Sequence, residues 1–387
     1  MRILFLTPRP LGDPRSGGTI KSAAVLEHLE ARHEVDVASF VAPGEGWERG
    51  SGRTVLIELD RERSARRLVA SYLRGVPLSV ERNRSATMAS AVRGLVAERS
   101  PGAVFVDGWL MARYVPGTFG GRTALHQHNA EHVMWRRHAE LERSPLRRAV
   151  VRLEAGRVRR YEADIVRRFE VVFAVSEPDR SALLAVGAPP PVPLLPNVPA
   201  PGLLDRPPLD PVAEPVLLTI GTLSWEPNVE GLLRFLRGGF PRLRREVPDA
   251  RLVVGGSGAP PALAALAGST PGVELVGEVR DDEVLYRRAR CFVDVGLGGA
   301  GTRVKLLNTF ARGLPAAATP DALAGLAAVP GQHALLLDPA SGIVPLVRLL
   351  TDDDTWRRLR DRARELIWTR YTPNVAFGAL DDAFPDR

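Results

Sequence analysis

Two cations stand at the start of a predicted helix, directly after a glycine-rich loop. Arg303 and Lys305 follow a stretch that contains Gly296, Gly298, Gly299 and Gly301. The first turn of a helix disfavours cations, because its backbone N–H groups already carry partial positive charge. An anion placed there would be bound by those N–H groups and by both side chains. The spacing predicts a phosphate or diphosphate site, and a glycine-rich turn with two solvated cations is the alternative.

A buried strand and a helix must position these residues. Residues 291–295 are a short apolar run, which is typical of a buried strand. Residues 302–312 have a helical pattern that Gly313 and Pro315 end. The GxxxxGKS or GxxxxGKT spacing of a Walker loop is absent. The stretch is therefore a strand, a loop and a helix N-terminus that can hold an anion, but it is not a Walker-type site.

The composition is that of a globular protein. The chain of 387 residues is long enough for two domains. The single cysteine, Cys291, excludes an internal disulfide and a cysteine-based metal site, and it fits a reducing cytoplasm. No apolar run approaches the ~20 residues of a membrane span. The first ten residues lack the cleavage site of a signal peptide, so we expect them to begin a core strand.

Arginine carries nearly all of the positive charge. The formal net charge is +7, and the only lysines are Lys21 and Lys305. This bias, with abundant Ala, Gly and Pro, indicates a GC-rich genome, so it gives little support for nucleic-acid binding. Eleven arginines against five acids lie between Arg136 and Arg168. The segment predicts a long solvated helical face, with a surface for anionic lipid head groups or an acidic partner as the alternative.

The chain opens with a predicted βαβ unit. A strand over 2–7 leads through a glycine-containing loop to a helix over 20–31 and a strand over 34–40. This order implies a parallel sheet. The first loop lies at the carboxyl edge, where open α/β sheets bind ligands, but it lacks the GxGxxG spacing of a dinucleotide site. Further strands are predicted over 54–59, 103–106, 123–125 and 171–175, and Ser176 is a predicted helix N-cap.

A proline-rich segment separates this half from a second alternation of strands and helices. Residues 189–215 contain eleven prolines, which indicates a linker. Strands are then predicted over 216–220, 251–254, 273–276, 291–295, 316–318 and 334–337. Helices are predicted over 228–236, 281–290, 302–312, 343–350, 354–369 and 374–384.

These patterns predict an α/β protein with two doubly wound domains. We expect a first domain over 1–198, a linker over 199–215, a second domain over 216–370 and a C-terminal helix over 371–387 that packs back on the first domain. Two such domains leave a central cleft between their facing carboxyl edges. Two substrates could meet there, one from each domain.

Several segments resemble the GT-B glycosyltransferases, and specifically their retaining family four. In the second half they lie within 220–236, 248–258, 272–289, 298–315 (GGAGTRVKLLNTFARGLP) and 362–372, and in the first half within 126–140 and 174–184. The resemblance implies a GT-B fold of two Rossmann-like domains, the first for the acceptor and the second for a nucleotide sugar. It also implies a retaining transfer without metal or cofactor, with the nucleoside-diphosphate sugar as co-substrate. No acidic DxD triplet is placed to bind a metal.

The resemblance assigns the donor to the second domain. Arg303 and Lys305 would neutralise the diphosphate as it departs, the arginine bidentately and the lysine as a point charge. Trp225 would pack under the donor or simply fill the floor of the cleft. The implied donor-binding residues are Gly221, Thr222, Trp225, Gly277, Glu278, Val279, Gly299, Gly301, Thr302 and Asn308.

The family also implies a histidine of the first domain that contacts the donor sugar. His128, after the strand predicted over 123–125, is the expected residue. A shift in strand register would exchange it with His126, and either histidine could instead be a satisfied polar group at a strand end. Gly17 and Gly18 would let a loop of the acceptor domain approach the diphosphate, and Asn129 and Glu131 would orient the acceptor or His128. These acceptor-side residues are Gly17, Gly18, Asn129 and Glu131.

Two positions depart from the family pattern. Family four typically carries two glutamates eight positions apart, and here these positions are Ala300 and Asn308. Asn308 donates and accepts hydrogen bonds but lacks the charge of a carboxylate, so we expect weaker or altered donor recognition. Alternatively, Asn308 substitutes adequately, or the chain is a non-catalytic or partner-dependent homologue. The retained cations, Arg303 and Lys305, argue against a fully degenerate site.

We therefore expect a cytoplasmic, bacterial, hexosyltransferase-like enzyme of glycan or antibiotic biosynthesis. It would move a sugar to a hydroxyl of a natural product, a saccharide or a lipid-linked glycan. The segment from Arg136 to Arg168 favours a peripheral contact with the anionic inner membrane face, whereas the lack of a hydrophobic anchor patch favours a soluble acceptor. The alternatives are a homologue that binds nucleotide or glycan without turnover, and a sugar-nucleotide epimerase of GT-B fold. Nucleic acid is not an expected partner.

Overall fold

The computed structural model describes residues 1–12, 17–47, 51–59, 64–142, 144–279, 281–297, 304–340 and 342–385. The contacts divide the chain into two compact units. Unit 1 comprises Met1–Val198 with Pro373–Arg387, and unit 2 comprises Pro199–Thr372. Within the described ranges, no helix combines the length and the apolar character that crossing a bilayer requires.

The sheet of unit 1 is formed by β1 (Arg2–Thr7), β2 (Glu34–Val41), β3 (Thr54–Glu58), β4 (Ala103–Asp107), β5 (Arg122–Gln127) and β6 (Val171–Ala174). These strands are parallel and lie in the order β3-β2-β1-β4-β5-β6. The apolar side chains of β1 and β4 are fully buried, as expected when helices cover both faces of a parallel sheet. The strand order reverses between β1 and β4, and ligands bind at such switch points.

Helices connect the strands of unit 1: α1 (Gly17–Glu30), α2 (Ala65–Leu73), α3 (Leu78–Arg82), α4 (Ala86–Arg99), α5 (Glu131–Leu141), α6 (Pro145–Val166) and α7 (Glu177–Ala185). The hydroxyl of Ser176 accepts a hydrogen bond from the backbone N–H of Asp179, which confirms the predicted N-cap of α7. Serines also cap α2, α4 and α6. Capping fixes where each helix begins, and so where the preceding loop meets the sheet edge.

The sheet of unit 2 is formed by β7 (Val216–Ile220), β8 (Arg251–Gly255), β9 (Val273–Gly277), β10 (Cys291–Asp294), β11 (Ala316–Ala318) and β12 (Leu335–Leu336). Its parallel strands lie in the order β12-β11-β10-β7-β8-β9. The helices are α8 (Glu226–Arg234), α9 (Phe240–Glu246), α10 (Pro261–Ser269), α11 (Glu283–Arg288), α12 (Val304–Arg312), α13 (Pro320–Leu323), α14 (Val344–Thr351) and α15 (Asp353–Arg370). A π-helical turn, Phe235–Gly239, joins α8 to α9.

The predicted alternation of strands and helices is confirmed, but α9, α10 and α13 were not predicted. The helix predicted over 228–236 is α8 with part of the π-helical turn, and two further helices differ in length. The helix predicted over 281–290 is only α11, because Ala289 is extended and the guanidinium of Arg290 bonds the carbonyl of Leu349 and the carboxylate of Asp353. The helix predicted over 374–384 is split into α16 (Pro373–Ala376) and α17 (Gly378–Ala383). Phe377 breaks the helix between them and is fully buried in the core of unit 1.

Candidate active site

A buried carboxylate organises the candidate site of unit 1. Oδ1 of Asp107 accepts hydrogen bonds from Nδ1 of His126 at 3.0 Å and from Nε2 of His128 at 2.8 Å. Its other oxygen, Oδ2, accepts a hydrogen bond from the hydroxyl of Thr7 at 3.1 Å. Asp107 itself is only 1% exposed. Three polar side chains therefore hold one charge at the carboxyl edge of the sheet.

The strand order explains why these residues meet. Thr7 ends β1 and Asp107 ends β4, which pairs with β1. Asp107 also stands opposite His126 in the register of β4 and β5. The side chain of His126 is fully buried, whereas that of His128, just beyond the strand, is 25% exposed. Solvent and ligands can therefore reach His128 but not His126.

The network is strongly polarised. Burial alone would raise the pKa of Asp107, but the charge of His128 and the hydrogen bond from His126 hold this pKa well below its ordinary value. Burial, together with the positive charge of Lys21, lowers the pKa of His126. Asp107 is therefore an anion, and His126 is a neutral imidazole that donates its Nδ1 proton to it.

Lys21 belongs to this environment, although sequence reasoning did not assign it a role. Its ammonium on α1 is completely buried and donates to the carbonyl of Leu195. Burial lowers its pKa, against the attraction of Asp107 and Asp179. The signal was its residue type, because the chain uses lysine only here and at Lys305. A compact ammonium fits this buried site, whereas a guanidinium would leave some of its five N–H donors without acceptors there.

The acceptor-side residues lie at two helix N-termini. Gly17 and Gly18 begin α1, and a Cβ at Gly18 would meet no atom within 4 Å. Glu131 begins α5, directly after Asn129 and Ala130, and is 8% exposed. Burial, and then the charge of Glu162, raise its pKa to about 8. Glu131 is therefore a protonated carboxyl near neutral pH.

Two buried carboxylates hold the start of α5. Oε1 of Glu162 accepts the backbone N–H of Glu131 at 2.9 Å, and Oε2 accepts that of His132 at 3.0 Å. Oδ1 of Asp179 accepts the backbone N–H of Ala130 at 2.8 Å. Negative charge at a helix N-terminus is favourable, so this arrangement anchors the segment that follows His128.

In unit 2 a small pocket surrounds the ammonium of Lys305. Its Nζ lies 2.7 Å from Oδ1 of Asp294, a carboxylate that is fully buried at the end of β10. The other carboxylate oxygen of Asp294 and the amide oxygen of Asn228 are buried without a hydrogen-bond partner among the described residues. The pocket is lined by Thr219, Ile220, Gly221, Leu223, Asn228, Leu232, Asp294, Val295, Gly296 and Lys305.

Backbone hydrogen bonds join the loops that follow three strands of this sheet. The N–H of Gly221, after β7, donates to the carbonyl of Gly255 at 3.0 Å, and that of Gly256, after β8, donates to the carbonyl of Gly277 at 2.7 Å. Gly256 has φ +143°, and a Cβ there would lie 1.8 Å from the carbonyl oxygen of Gly221. A Cβ at Gly221 would itself lie 3.9 Å from Nζ of Lys305. The structure thus brings Gly221, Gly277 and Lys305 to one edge.

The remaining donor-side residues have different environments. Thr222 and Glu278 are exposed, and half-buried Trp225 stands at the N-cap of α8. Val279 packs against the core of unit 2. The side-chain oxygen of Asn308 on α12 accepts the backbone N–H of Ala200 at 2.8 Å. Gly299, Ala300, Gly301, Thr302 and Arg303 lie outside the described residues.

The cluster of Asp107, His126 and His128 also has the residue types of a metal site, and its possible ligand atoms lie within 4.8 Å of one another. Both histidines, however, share one carboxylate oxygen at hydrogen-bond distances. The geometry therefore fits a hydrogen-bonded network better than a metal centre.

The sequence of unit 2 matches a known family. Residues 214–352 match the family model described as Glycosyl transferases group 1. This range includes Gly221, Gly277, Asp294 and Lys305, so the pocket described above lies within the match. A comparison with curated proteins finds no match for the chain.

Solved structures resemble the chain over almost its whole length. Sucrose-phosphate synthase from Thermosynechococcus elongatus has a TM-score of 0.71 at 17% identity, over 99% of this chain and 98% of that one. TarM from S. aureus, solved with fondaparinux, alpha-GlcNAc-glycerol and UDP, has a TM-score of 0.71 at 10% identity, over 99% of each chain. HepE from Anabaena, solved with UDP and glucose, has a TM-score of 0.66 at 12% identity, over 99% of this chain and 98% of that one.

At such identities the structural similarity establishes the fold alone. That fold is GT-B, as predicted, with one parallel α/β sheet in each unit. The chemistry is indicated by the match of unit 2 to the group 1 family. Residues 214–352 therefore form a region that matches the glycosyl transferase group 1 family, within a chain whose fold is GT-B.

Proposed function

We propose that the protein is a retaining, metal-independent glycosyltransferase that uses a nucleoside-diphosphate sugar. The observation that carries this proposal is Lys305, whose ammonium lies beside Gly221 in a pocket at the carboxyl edge of the unit 2 sheet. Parallel sheets bind ligands at this edge. UDP is present in the similar structures of HepE and TarM, which supports a nucleotide donor here.

Lys305 would stabilise the leaving group. The departing nucleoside diphosphate gains negative charge as the glycosidic bond breaks, and a cation already in place lowers the energy of that state. Before the donor binds, the ion pair with Asp294 holds the ammonium at the pocket, with Nζ 2.7 Å from Oδ1 of the carboxylate. Arg303, two positions before Lys305, would add a bidentate grip on the phosphate oxygens.

His128 would contact the transferred sugar. Its ring is held by Asp107, and part of its surface is accessible. Retention requires the acceptor hydroxyl to attack from the face that the diphosphate leaves. The leaving diphosphate can itself take the proton of that hydroxyl, so no pair of carboxylates of glycosidase type is needed. Asp107 then has a positioning role, because its oxygens are occupied by hydrogen bonds to Thr7 and the histidines.

The acceptor would be a hydroxyl of a natural product, a saccharide or a lipid-linked glycan. TarM was solved with alpha-GlcNAc-glycerol and a glycan, which supports a hydroxyl-rich acceptor. The buried N-terminus of α5, with Asn129 and Glu131 beside His128, would orient this group. We expect that nucleotide release without acceptor is slow and that an acceptor accelerates it.

The test is release of nucleoside diphosphate from a panel of uridine, guanosine, thymidine and adenosine diphosphate sugars. Wild type should release nucleotide from one donor class, and Arg303→Ala should be at least ~10-fold slower, because a charge-assisted phosphate contact is lost. Arg242→Ala, at an exposed position on α9, is the matched control and should behave as wild type. The proposal is wrong if wild type releases no nucleotide from any donor.

A homologue that binds nucleotide without turnover is the second candidate. The observation that favours it is Asn308, whose side-chain oxygen is engaged by the backbone N–H of Ala200. An asparagine at this position lacks the carboxylate that the family typically offers to the donor, and its side-chain oxygen is already engaged. Nucleotide-dependent thermal shifts in the absence of any release, with or without acceptors, would identify this function.

A further inference from the structure

One surface of unit 1 exposes apolar side chains on two helices. On α6, Leu146 is 78% exposed, Val150 is 53% exposed and Leu153 is 64% exposed. Their spacing of four and three residues places them on one face of the helix. Single exposed apolar residues are common, but a continuous stripe marks an interaction site. This stripe therefore requires an explanation beyond folding.

The short helix α2 presents a second apolar face to solvent. Leu68, Val69, Tyr72 and Leu73 are between 43% and 84% exposed, whereas Ser71 is buried. Ser71 is thus the buried residue of α2 while these apolar side chains face outward, an inversion of the buried apolar stripe of a normal surface helix. Such an inversion is costly in water unless another surface covers the apolar face.

Arg157 of α6 holds the two helices together. Its buried guanidinium donates to the carbonyl of Ser71 at 2.6 Å and lies 4.2 Å from the ring centroid of Tyr72. It also pairs with Glu154, which accepts the backbone N–H of Leu78 at 2.6 Å. Leu153 is one helical turn before Arg157, on the same side of α6. We call the shared face the α2–α6 surface, formed by Leu68, Val69, Tyr72, Leu73, Leu146, Val150 and Leu153.

Arginines flank this surface. The exposed ones on the two helices are Arg66, Arg147, Arg152, Arg159 and Arg160. Helix α2 contains no acid, and two of the three acids of α6, Glu154 and Glu162, are buried in hydrogen bonds. Only Asp164 is an exposed acid of α6. The exposed charge on these two helices is therefore strongly positive.

We propose that the α2–α6 surface docks on an anionic lipid bilayer. Apolar side chains between arginines fit a membrane interface, where the former enter the acyl boundary and the latter bind lipid phosphates. A second copy of the chain would bring the same positive charge against itself. A nucleic acid would bind the arginines but leave the leucines without a partner. The docking is independent of sugar transfer, so either proposal can fail without the other.

This surface corrects the expectation that the chain has no hydrophobic anchor patch. The sequence conceals it, because the apolar residues are three or four positions apart and belong to helices about 75 residues apart in the chain. The contact of Arg157 with Ser71 and Tyr72 brings the two helices together. The arginines from Arg136 to Arg168, predicted as a solvated face or a lipid surface, include much of its charged border.

The test is sedimentation of the full chain with vesicles of phosphatidylcholine alone or with about one third of phosphatidylglycerol added. Binding to the anionic vesicles should exceed binding to the neutral ones by about 5-fold for each arginine that contacts the surface, and high salt should remove this excess. Absence of a preference for anionic vesicles would overturn the proposal.

Variants separate this surface from general stickiness. Leu73→Ser/Leu146→Ser/Leu153→Ser should weaken vesicle binding at least ~10-fold, because apolar area is lost from the contact. Val284→Ser/Val344→Ser, at exposed apolar positions of unit 2, is the matched control and should bind as wild type. Both variants should keep the wild-type melting temperature, since all five side chains are exposed. Equal binding by the two variants, or a wild-type dimer that the triple variant abolishes, would contradict membrane docking.

Discussion

Nε2 of His128 lies 2.8 Å from the carboxylate of Asp107, which is almost completely buried. This contact fixes the orientation of a ring that is otherwise partly open to solvent. It also places a permanent negative charge against the imidazole, and this charge would favour any step in which the ring becomes positive. Asp107 would therefore act on the proposed reaction through His128 rather than by touching the substrate.

Asp107→Asn should lower kcat while leaving KM for the donor nearly unchanged. The hydrogen bond to His128 loses its charge assistance, and bonds to charged groups contribute about 1.5–3 kcal/mol, or roughly 10- to 100-fold in rate. Initial rates of nucleotide release measure both constants. His128→Gln should have a similar effect, and the double variant should be no slower than His128→Gln alone. Independent, multiplying effects would show that the two residues do not act together.

Lys305→Met should impair both folding stability and donor binding, for separable reasons. The substitution leaves the carboxylate of Asp294 buried and unpaired, which costs about 3–5 kcal/mol. It also removes a cation from the proposed diphosphate site. Urea unfolding and donor titration measure the two effects.

Adding Asp294→Asn to Lys305→Met separates the two effects. The double variant no longer buries an unpaired charge, so its unfolding midpoint should return toward that of wild type. Donor affinity should stay about 10- to 100-fold below wild type, since the phosphate contact is still missing. If donor affinity recovers together with stability, Lys305 has only a structural role.

Gly256→Ala should distort the edge of the unit 2 sheet. Its φ of +143° excludes ordinary side chains, and the added Cβ would overlap the carbonyl oxygen of Gly221. We expect a loss of at least about 1–3 kcal/mol in the free energy of unfolding, with weaker nucleotide binding. Gly268→Ala, on α10, is the control, because its Cβ meets no atom within 4 Å and alanine favours a helix. Equal unfolding midpoints for the two variants would refute this explanation.

Sequence pattern predicts the strands well and the polar contacts poorly. β7 and β11 have the predicted bounds, because a parallel sheet buried on both faces requires short apolar runs. Lys305 was found because a cation at a helix start is unusual. Asp107 and Asp294 were missed, although a carboxylate that ends or interrupts an apolar strand was the available signal. The partners of Asp107 are up to 100 residues away, and they meet only through a strand order that spacing does not specify.

The α2–α6 surface shows the same limit for apolar residues. Periodicity identifies an apolar stripe on a helix but not whether it faces the core or the solvent. Arg157 decides the matter for α2, because its guanidinium hydrogen-bonds to the carbonyl and the hydroxyl of Ser71 and so holds that residue inward. The side chain of Arg157 is 7% exposed, so a residue type that predicts a surface position is here part of the interior.

Glu131 should make the protein less stable as the pH rises. Its pKa is about 8 in the folded chain, because burial and the charge of Glu162 disfavour the carboxylate, against an ordinary value of 4.5. Below pH 4.5 the carboxyl is protonated in both the folded and unfolded states, and this site costs no stability. Between these two pKa values only the unfolded state ionises, so stability falls by up to about 1.4 kcal/mol per pH unit. Above pH 8 both states are ionised and the loss is constant.

Glu131→Gln should remove this dependence, because the amide resembles the protonated carboxyl in shape and carries no charge. Thermal melts from pH 5 to pH 9 measure it: the melting temperature of the variant minus that of wild type should grow up to about pH 8 and then level off. Glu140→Gln, at an exposed position on the same helix, is the control and should retain the wild-type pH profile. A constant difference for Glu131→Gln across this range would mean that Glu131 is ionised in the folded protein, and that the start of α5 carries its charge in addition to those of Glu162 and Asp179.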